Sequence, residues 1–216
     1  MHELATDVFI SEDRQRFLGL EVGARMTVLR IGSELLVHSP LDADPATLHE
    51  LGTPRWVLAP NLLHHLHVGR WIDAGVESWC APGLQAKRKD LRFDHIVEGT
   101  SEPFGPDVLV IPLQCIPMTN EVVLLHRPSR TLVLTDLVFH FTKDAPLLTR
   151  IAMRAMLGYP GCRATLLERL AIHREVGRRE IGRLLELDFD RIIMAHGEPI
   201  ESGGREVLRK AFQWLL

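Results

Sequence analysis

The 216-residue chain is long enough for one domain with a substantial core or for two small domains. Its hydrophobic fraction of 46% is ordinary, and its net charge of −3 gives no reason to expect a nucleic-acid or membrane partner. The three scattered cysteines, Cys80, Cys115 and Cys162, indicate reduced thiols and a cytoplasmic location rather than a disulfide framework.

The first part of the chain is predicted to be rich in strands. Apolar runs over 26–31 and 34–38 flank Gly32-Ser33, which predicts a β-hairpin. Asp44-Pro45 has the pattern of a helix start, an N-cap followed by proline, and we expect a short helix there. The chain should then continue as a strand over 55–58, a helix over 63–74 and a strand over 76–80.

The later part of the chain alternates predicted helices and strands. Its predicted elements are a helix over 82–89, a strand over 108–113, a hairpin of strands 121–126 and 131–135, helices over 146–157 and 163–187, a strand over 191–194, and a helix over 202–216 capped by Ser202. No repeat or linker interrupts this order. The pattern predicts a single mixed α/β domain over 1–216.

Ligand-type side chains lie in the segments that follow three of the predicted apolar strands. They are His64 and His65 after Trp56-Val57-Leu58, Asp136 after Leu132-Val133-Leu134, and His196 after Ile192-Ile193-Met194. If these strands are neighbours, the side chains meet at one edge of the sheet. Three imidazoles and one carboxylate suit zinc, with iron or manganese as alternatives. We therefore predict one divalent metal ion bound by these four residues.

Three further residues are candidates to orient those ligands without binding the metal themselves. They are His38, which also ends a predicted strand, His67 in the histidine loop, and Glu198 beside the last candidate ligand. Each of the site residues also has a plainer interpretation. The double histidine can be a pair of polar loop residues, Asp136 can cap a turn, and Glu198 can be an ordinary solvated carboxylate.

These anchors resemble the metallo-β-lactamase fold superfamily over nearly the whole chain. The matching pieces are the strand-loop-helix at 56–74, the hairpin ending in Leu134-Thr135-Asp136, and Ala195-His196-Gly197 after the last strand. The resemblance implies an αββα sandwich with mixed sheets and helices on the outer faces. One uncharacterised branch is similar in carrying His38-Ser39-Pro40, Ala59-Pro60-Asn61, Glu121 and Thr135-Asp136.

The superfamily's H-x-H-x-D-H motif is degenerate in this chain. Its first two histidines fall on Pro60 and Leu62, and a further family histidine falls near Pro117. Its aspartate falls on His64 and its last histidine on His65. The resemblance therefore implies loss of the first metal position and retention of the second.

Two functions remain open from the sequence. One is a mononuclear metal-dependent hydrolase acting on a small ester, thioester or similar substrate. The other is a non-catalytic descendant of the fold that binds a ligand or a partner. We expect an unidentified small molecule as substrate or ligand, and leave a homodimer open.

Overall fold

The computed structural model describes residues 1–216. Its strands are β1 (His2–Ala5), β2 (Val8–Asp13), β3 (Arg16–Phe17), β4 (Leu20–Glu21), β5 (Ala24–Ile31), β6 (Glu34–His38), β7 (Thr53–Ala59), β8 (Glu77–Cys80), β9 (His95–Ile96), β10 (Val108–Pro112), β11 (Val122–His126), β12 (Thr131–Val133), β13 (Phe139–Phe141), β14 (Gly161–Arg163) and β15 (Arg191–Ile193). Its helices are α1 (Val68–Asp73), α2 (Leu84–Lys87), α3 (Leu147–Ala155), α4 (Leu166–Ala171), α5 (Arg174–Glu186) and α6 (Gly204–Ala211), with a 3₁₀ turn at Pro45–Leu48. None of the helices is both long and apolar enough to cross a membrane.

Two mixed sheets form the centre of the fold. The larger has the strand order β1-β2-β5-β6-β7-β8-β9, antiparallel up to β6 and parallel from there. The smaller has the order β10-β11-β12-β15, and its last pair, β12 and β15, is parallel. Both predicted hairpins are present, as β5–β6 and β11–β12.

The apolar residues form three layers around these sheets. Leu36 and Leu58 of the larger sheet pack with Leu124 of the smaller sheet in a core between the two. The outer face of the larger sheet is covered by α1 and α2, and that of the smaller sheet by α5 and α6. Alternate residues along each strand face opposite sides. One set packs in the core between the sheets and the other packs against the helices, so both faces are buried. The result is the predicted αββα sandwich.

The predicted helix over 63–74 is shorter in the structure, which has only α1. The side chain of Asn61 accepts hydrogen bonds from the backbone amides of Leu63 (2.8 Å) and His64 (2.6 Å). These amides would otherwise belong to the first helical turn, so the side chain holds the segment as a loop. The histidine loop is therefore irregular backbone ahead of the helix.

The prediction of one helix over 163–187 is wrong. Gly161–Arg163 instead pairs with β13, and Thr165 starts α4 through a capping box with Glu168. The chain breaks again before α5, where the amide of His173 donates to the carbonyl of Cys115 at 2.8 Å. These contacts come from distant segments, so helical periodicity alone could not indicate the breaks.

The predicted Ser202 cap is also wrong. Gly203 occupies the N-cap position of α6 with φ +69°. Asp190 supplies the missing acceptors, its carboxylate for the amide of Gly203 (2.8 Å) and its carbonyl for the amide of Gly204 (2.7 Å). Asp190, which directly precedes β15, therefore satisfies the helix amides that the serine was expected to cap.

Candidate metal centre

Three of the four predicted ligands come together at one edge of the two sheets. His64 lies in the loop after β7, Asp136 follows β12, and His196 follows β15. One potential ligand atom from each residue lies within 4.8 Å of the other two. The parallel pairing of β12 with β15 brings Asp136 and His196 side by side, because both strands end at the same edge.

The spacing of these atoms fits a small cation. Asp136 Oδ1 lies 3.4 Å from Nε2 of His64 and 3.4 Å from Nε2 of His196. Two ligands bound tetrahedrally to zinc at its usual bond lengths are about 3.3–3.4 Å apart. The side chains of all three are at least nine-tenths buried. Two of the three spacings therefore match a tetrahedral zinc site, and the distance between the two imidazole nitrogens lies within 4.8 Å.

The other ring nitrogen of each imidazole has a partner of its own. Nδ1 of His196 donates to the carbonyl of Gly23 at 2.7 Å, because a carbonyl can only accept. Its Nε2 therefore carries the lone pair that faces Asp136 in the neutral ring. Nδ1 of His64 lies 2.9 Å from Oγ of Ser39. Such partners orient imidazoles for metal binding.

The buried charges of the site stabilise each other. Burial alone would raise the pKa of Asp136, but the adjacent His64 and His196 imidazoles hold it below its ordinary value. Burial would likewise lower the pKa of His196, but the Asp136 carboxylate and the Gly23 carbonyl raise it above its ordinary value. The carboxylate is therefore ionised and available as a ligand at neutral pH.

Asn61 joins two of the site's segments. It is fully buried, and its Nδ2 donates to Thr135 Oγ1 (2.9 Å) and to Asp136 Oδ2 (2.7 Å). Its oxygen accepts the amide of His64, so one side chain orients both the carboxylate and the histidine loop. This role of Asn61 was not predicted from the sequence. The available signal was an isolated amide directly after a strand and a proline.

Glu121 fixes the backbone that carries the carboxylate ligand. Its two oxygens accept the amides of Thr135 (2.6 Å) and Asp136 (2.8 Å). Burial, with the nearby Asp136 charge, raises the pKa of Glu121 to about 8. The sequence signal for this residue was an acid next to the apolar run of β11. A carboxylate in such a position is buried only when hydrogen-bond or charged partners compensate for the lost water.

Arg25 holds the loop that carries His196. Although its side chain is charged, Arg25 is only 4% exposed. Its guanidinium donates to the carbonyls of Met194 and Gly197 and pairs with Glu12. This role of Arg25 was not predicted from the sequence. The signal was an arginine inside the otherwise apolar start of β5.

The fourth predicted ligand, His65, lies outside the group. Its Nδ1 is 2.9 Å from Nη1 of Arg88. Burial, followed by the charges of Lys87 and Arg88, lowers its pKa. Consecutive residues of an irregular loop point in different directions, so only His64 of the pair faces Asp136. The expectation that four groups meet around one point is therefore wrong for His65.

The three supporting candidates have different surroundings. His38 is buried next to Ser39, its Nε2 has no hydrogen-bond partner, and burial and then the His64 charge lower its pKa to about 3. It is therefore a buried, neutral imidazole. His67 is the N-cap residue of α1, without a capping side-chain bond. Glu198 is exposed, and its carbonyl accepts from His140 Nδ1.

Two of the positions that carry histidines in the family, Pro60 and Leu62, make backbone hydrogen bonds in this structure. The carbonyl of Pro60 accepts the amide of Val122 at 2.7 Å, and the amide of Leu62 donates to the carbonyl of Thr119 at 2.9 Å. These bonds tie the histidine loop to the smaller sheet. A cleft of about 510 Å³ adjoins the His196 loop and is lined in part by Arg25, His140 and Glu198.

Comparisons with solved structures agree with this architecture. The chain is similar to the metallo-β-lactamase DIM-1 exposed to ceftazidime, at 14% identity and a TM-score of 0.70, over 99% of this chain and 95% of that one. It is similar to VMB-1 at 12% identity and a TM-score of 0.74, over 99% and 94%. It is similar to FIM-1 from Pseudomonas aeruginosa in its mono-zinc form at 13% identity and a TM-score of 0.62, over 96% and 90%. No family model matches the chain, and no curated protein matches its sequence.

Proposed function

For this chain, which has the metallo-β-lactamase fold, we propose a mononuclear metal-dependent hydrolase acting on a small ester, thioester or similar substrate. His64, Asp136 and His196 bind the metal, with zinc preferred over iron or manganese. The observation that carries the proposal is the convergence of these three ligand atoms, from three strand ends, within 4.8 Å.

The donor set favours a catalytic rather than a structural site. Two imidazoles and one carboxylate leave the fourth position of a tetrahedral zinc open, whereas structural sites use four protein ligands, mostly thiolates. Zinc bound there would supply an acidified water with a pKa of about 7. The chain's own residues hold the donors in place: Ser39 and the Gly23 carbonyl orient the imidazoles, and Asn61 orients the carboxylate.

A single ion follows from what stands at the other family positions. Pro60, Leu62 and Pro117 replace the histidines of the first metal position in the resemblance. Proline and leucine side chains carry no donor atom. The chain can therefore not use a second ion at that position to hold the substrate or its attacking water.

The same replacements favour one alternative. A descendant of the fold that has lost three histidines can retain a metal or a pocket for binding a ligand without catalysing a reaction. This alternative predicts a loaded metal site with no turnover. We regard it as the second candidate, and the measurements below separate the two.

The first test is metal content after purification without chelator. We expect about one equivalent of metal in the wild-type protein and little in His64→Ala or His196→Ala. His65→Ala is the matched control, because it removes a histidine from the same loop that lies outside the group. It should retain the metal. Folded protein that binds none of zinc, iron or manganese would refute the site.

The second test is turnover of a panel of activated esters and thioesters. The hydrolase proposal expects activity that is lost in His64→Ala and retained in His65→Ala. Metal bound in stoichiometric amount, with no turnover across the panel, would instead support the binding alternative.

A further inference from the structure

The cleft of about 510 Å³ beside the His196 loop borders the candidate metal centre. Gly23, Ala195 and Gly197 lie in its wall, and the Gly23 carbonyl accepts from Nδ1 of His196. The other ring nitrogen of His196 faces Asp136. One imidazole ring therefore separates the cleft wall from the metal centre. The cleft volume is within the range of about 300–1,000 Å³ that is typical of small-molecule sites.

The lining of this cleft is strongly acidic. It contains five carboxylates and two guanidinium groups, which give it a formal charge of −3. The whole chain has the same net charge, so the rest of the chain is neutral overall. Arg16 and Lys143 are exposed cations close to lining residues in the sequence, but they are not part of the lining. The excess negative charge of the protein is therefore concentrated around one concave surface.

The two arginines of the lining neutralise only two of its carboxylates. Arg25 pairs with Glu12, and Nε of Arg14 lies 3.9 Å from the carboxylate of Glu21. The other three carboxylates are exposed and have no cationic partner, and they belong to Asp13, Asp144 and Glu198. Because the potentials of unpaired negative charges around one cleft add, a positively charged ligand is favoured there.

The spacing of these acids selects the kind of cation. A metal ion needs several ligand atoms within a few ångströms of one another. The only group of three or more such side chains that meets this requirement is His64, Asp136 and His196. The cleft acids are therefore too widely spaced to share a metal ion. An organic cation is larger, and its alkyl part can contact apolar lining residues such as Val22 and Pro146.

We propose that the cleft holds the positively charged end of the substrate, so that the preferred substrate is an ester or thioester bearing an amine or a quaternary ammonium group. This inference rests on the hydrolase proposed above, because it names the substrate class of the same site. A substrate with a carboxylate or phosphate at the corresponding position would be repelled by the unpaired acids.

The kinetic test compares three thioesters that share an acetyl group. They are acetylthiocholine, its neutral isostere with carbon in place of the charged nitrogen, and an analogue that ends in a carboxylate. We expect kcat/KM to be about tenfold higher for acetylthiocholine than for the neutral isostere, and lowest for the anionic analogue. Asp13→Asn combined with Asp144→Asn should reduce the preference for the cation about fivefold, and raised salt should also reduce it. Asparagine retains the oxygens that accept from the Arg14 amide and the Thr142 hydroxyl, so this variant should fold.

Glu98→Gln is the matched control, because it removes an exposed carboxylate that follows the edge strand β9 and does not line the cleft. It should retain the wild-type preference for acetylthiocholine. Turnover without a preference for the cation, or a preference that the double asparagine variant retains, would overturn the inference and leave the hydrolase standing.

Calorimetric titration with choline, compared with its neutral carbon isostere, tests the cleft separately from hydrolysis. We expect choline to bind about tenfold more tightly than the isostere, and the double asparagine variant to lose this difference. Selective choline binding without turnover of any thioester would support the cleft as a cation site and refute the hydrolase. Choline that binds no better than its isostere would overturn the inference.

Discussion

Replacing Asn61 with alanine should damage both stability and metal binding. Its amide makes four hydrogen bonds, to the amides of Leu63 and His64, the hydroxyl of Thr135 and the carboxylate of Asp136. Alanine would leave the partners of a fully buried side chain without their bonds. This makes Asn61 the most direct test of how the site is built.

The magnitude follows from the kinds of bond that are lost. Neutral hydrogen bonds contribute about 1 kcal/mol each, and one to a charged group about 1.5–3 kcal/mol. Because these losses share partners and are not additive, we expect Asn61→Ala to lower the free energy of unfolding by about 3–4 kcal/mol. Metal affinity should fall about 10–100-fold, as is typical when a residue that orients a ligand is lost.

The measurements are urea unfolding and zinc titration against a competing chelator. Gln85→Ala is the matched control, since Gln85 bonds the amide of Phe93 (3.0 Å) and the carbonyl of Leu91 (2.8 Å) away from the three ligands. It should lose stability but retain zinc affinity. If Asn61→Ala binds zinc like the wild type, or if Gln85→Ala weakens zinc equally, the inference that Asn61 orients the ligands is wrong.

Four other substitutions, one of them a control, test the surroundings of the site. Gly197→Ala would place Cβ 2.2 Å from the carbonyl oxygen of His140 at φ +82°, so we expect a loss of about 3 kcal/mol or more by urea unfolding. Gly203→Ala, at φ +69° in open space, should cost only about 1 kcal/mol, and equal losses would contradict the steric argument. Arg25→Met removes the donors to two carbonyls of the loop after β15. It should lower the free energy of unfolding by about 3 kcal/mol and weaken zinc binding. Unchanged zinc affinity would show that the loop keeps its position without Arg25. His38 has its pKa lowered from 6.5 to about 3, so the unfolded chain takes up a proton that the folded chain does not, and stability falls as pH drops below 6.5. His38→Leu should therefore reduce the stability difference between pH 7 and about 4.5 by about 2 kcal/mol, and an unchanged difference would refute the assignment.

The candidate site shows where prediction from sequence succeeded. His64, Asp136 and His196 each follow a short apolar strand, and an edge where several strands end is where side chains of distant segments meet. Apolar runs and turn residues are local signals, set by residues a few positions apart. Both hairpins and the strands that carry these three residues were therefore predictable.

Only the tertiary structure decided which residues of the histidine loop face the site. His64 and His65 are equivalent in the sequence pattern, but the Asn61 side chain binds the amide of His64, and Arg88 binds the ring of His65. These contacts join residues brought together by neighbouring strands and by the loop packed over them. No spacing rule along the chain encodes such contacts, since they depend on which strands pair.

The sequence by itself thus determined the alternation of strands and helices and the strand ends that supply ligand-type residues, and its resemblance to a known superfamily implied the αββα class. The tertiary structure decided the breaks around α4 and the grouping of three ligands rather than four. It also decided that Leu147, Leu148 and Ile151 of α3 are exposed to solvent. The physical reason is range: backbone conformation follows nearby residues, whereas the direction and burial of a side chain follow from packing between segments far apart in the chain.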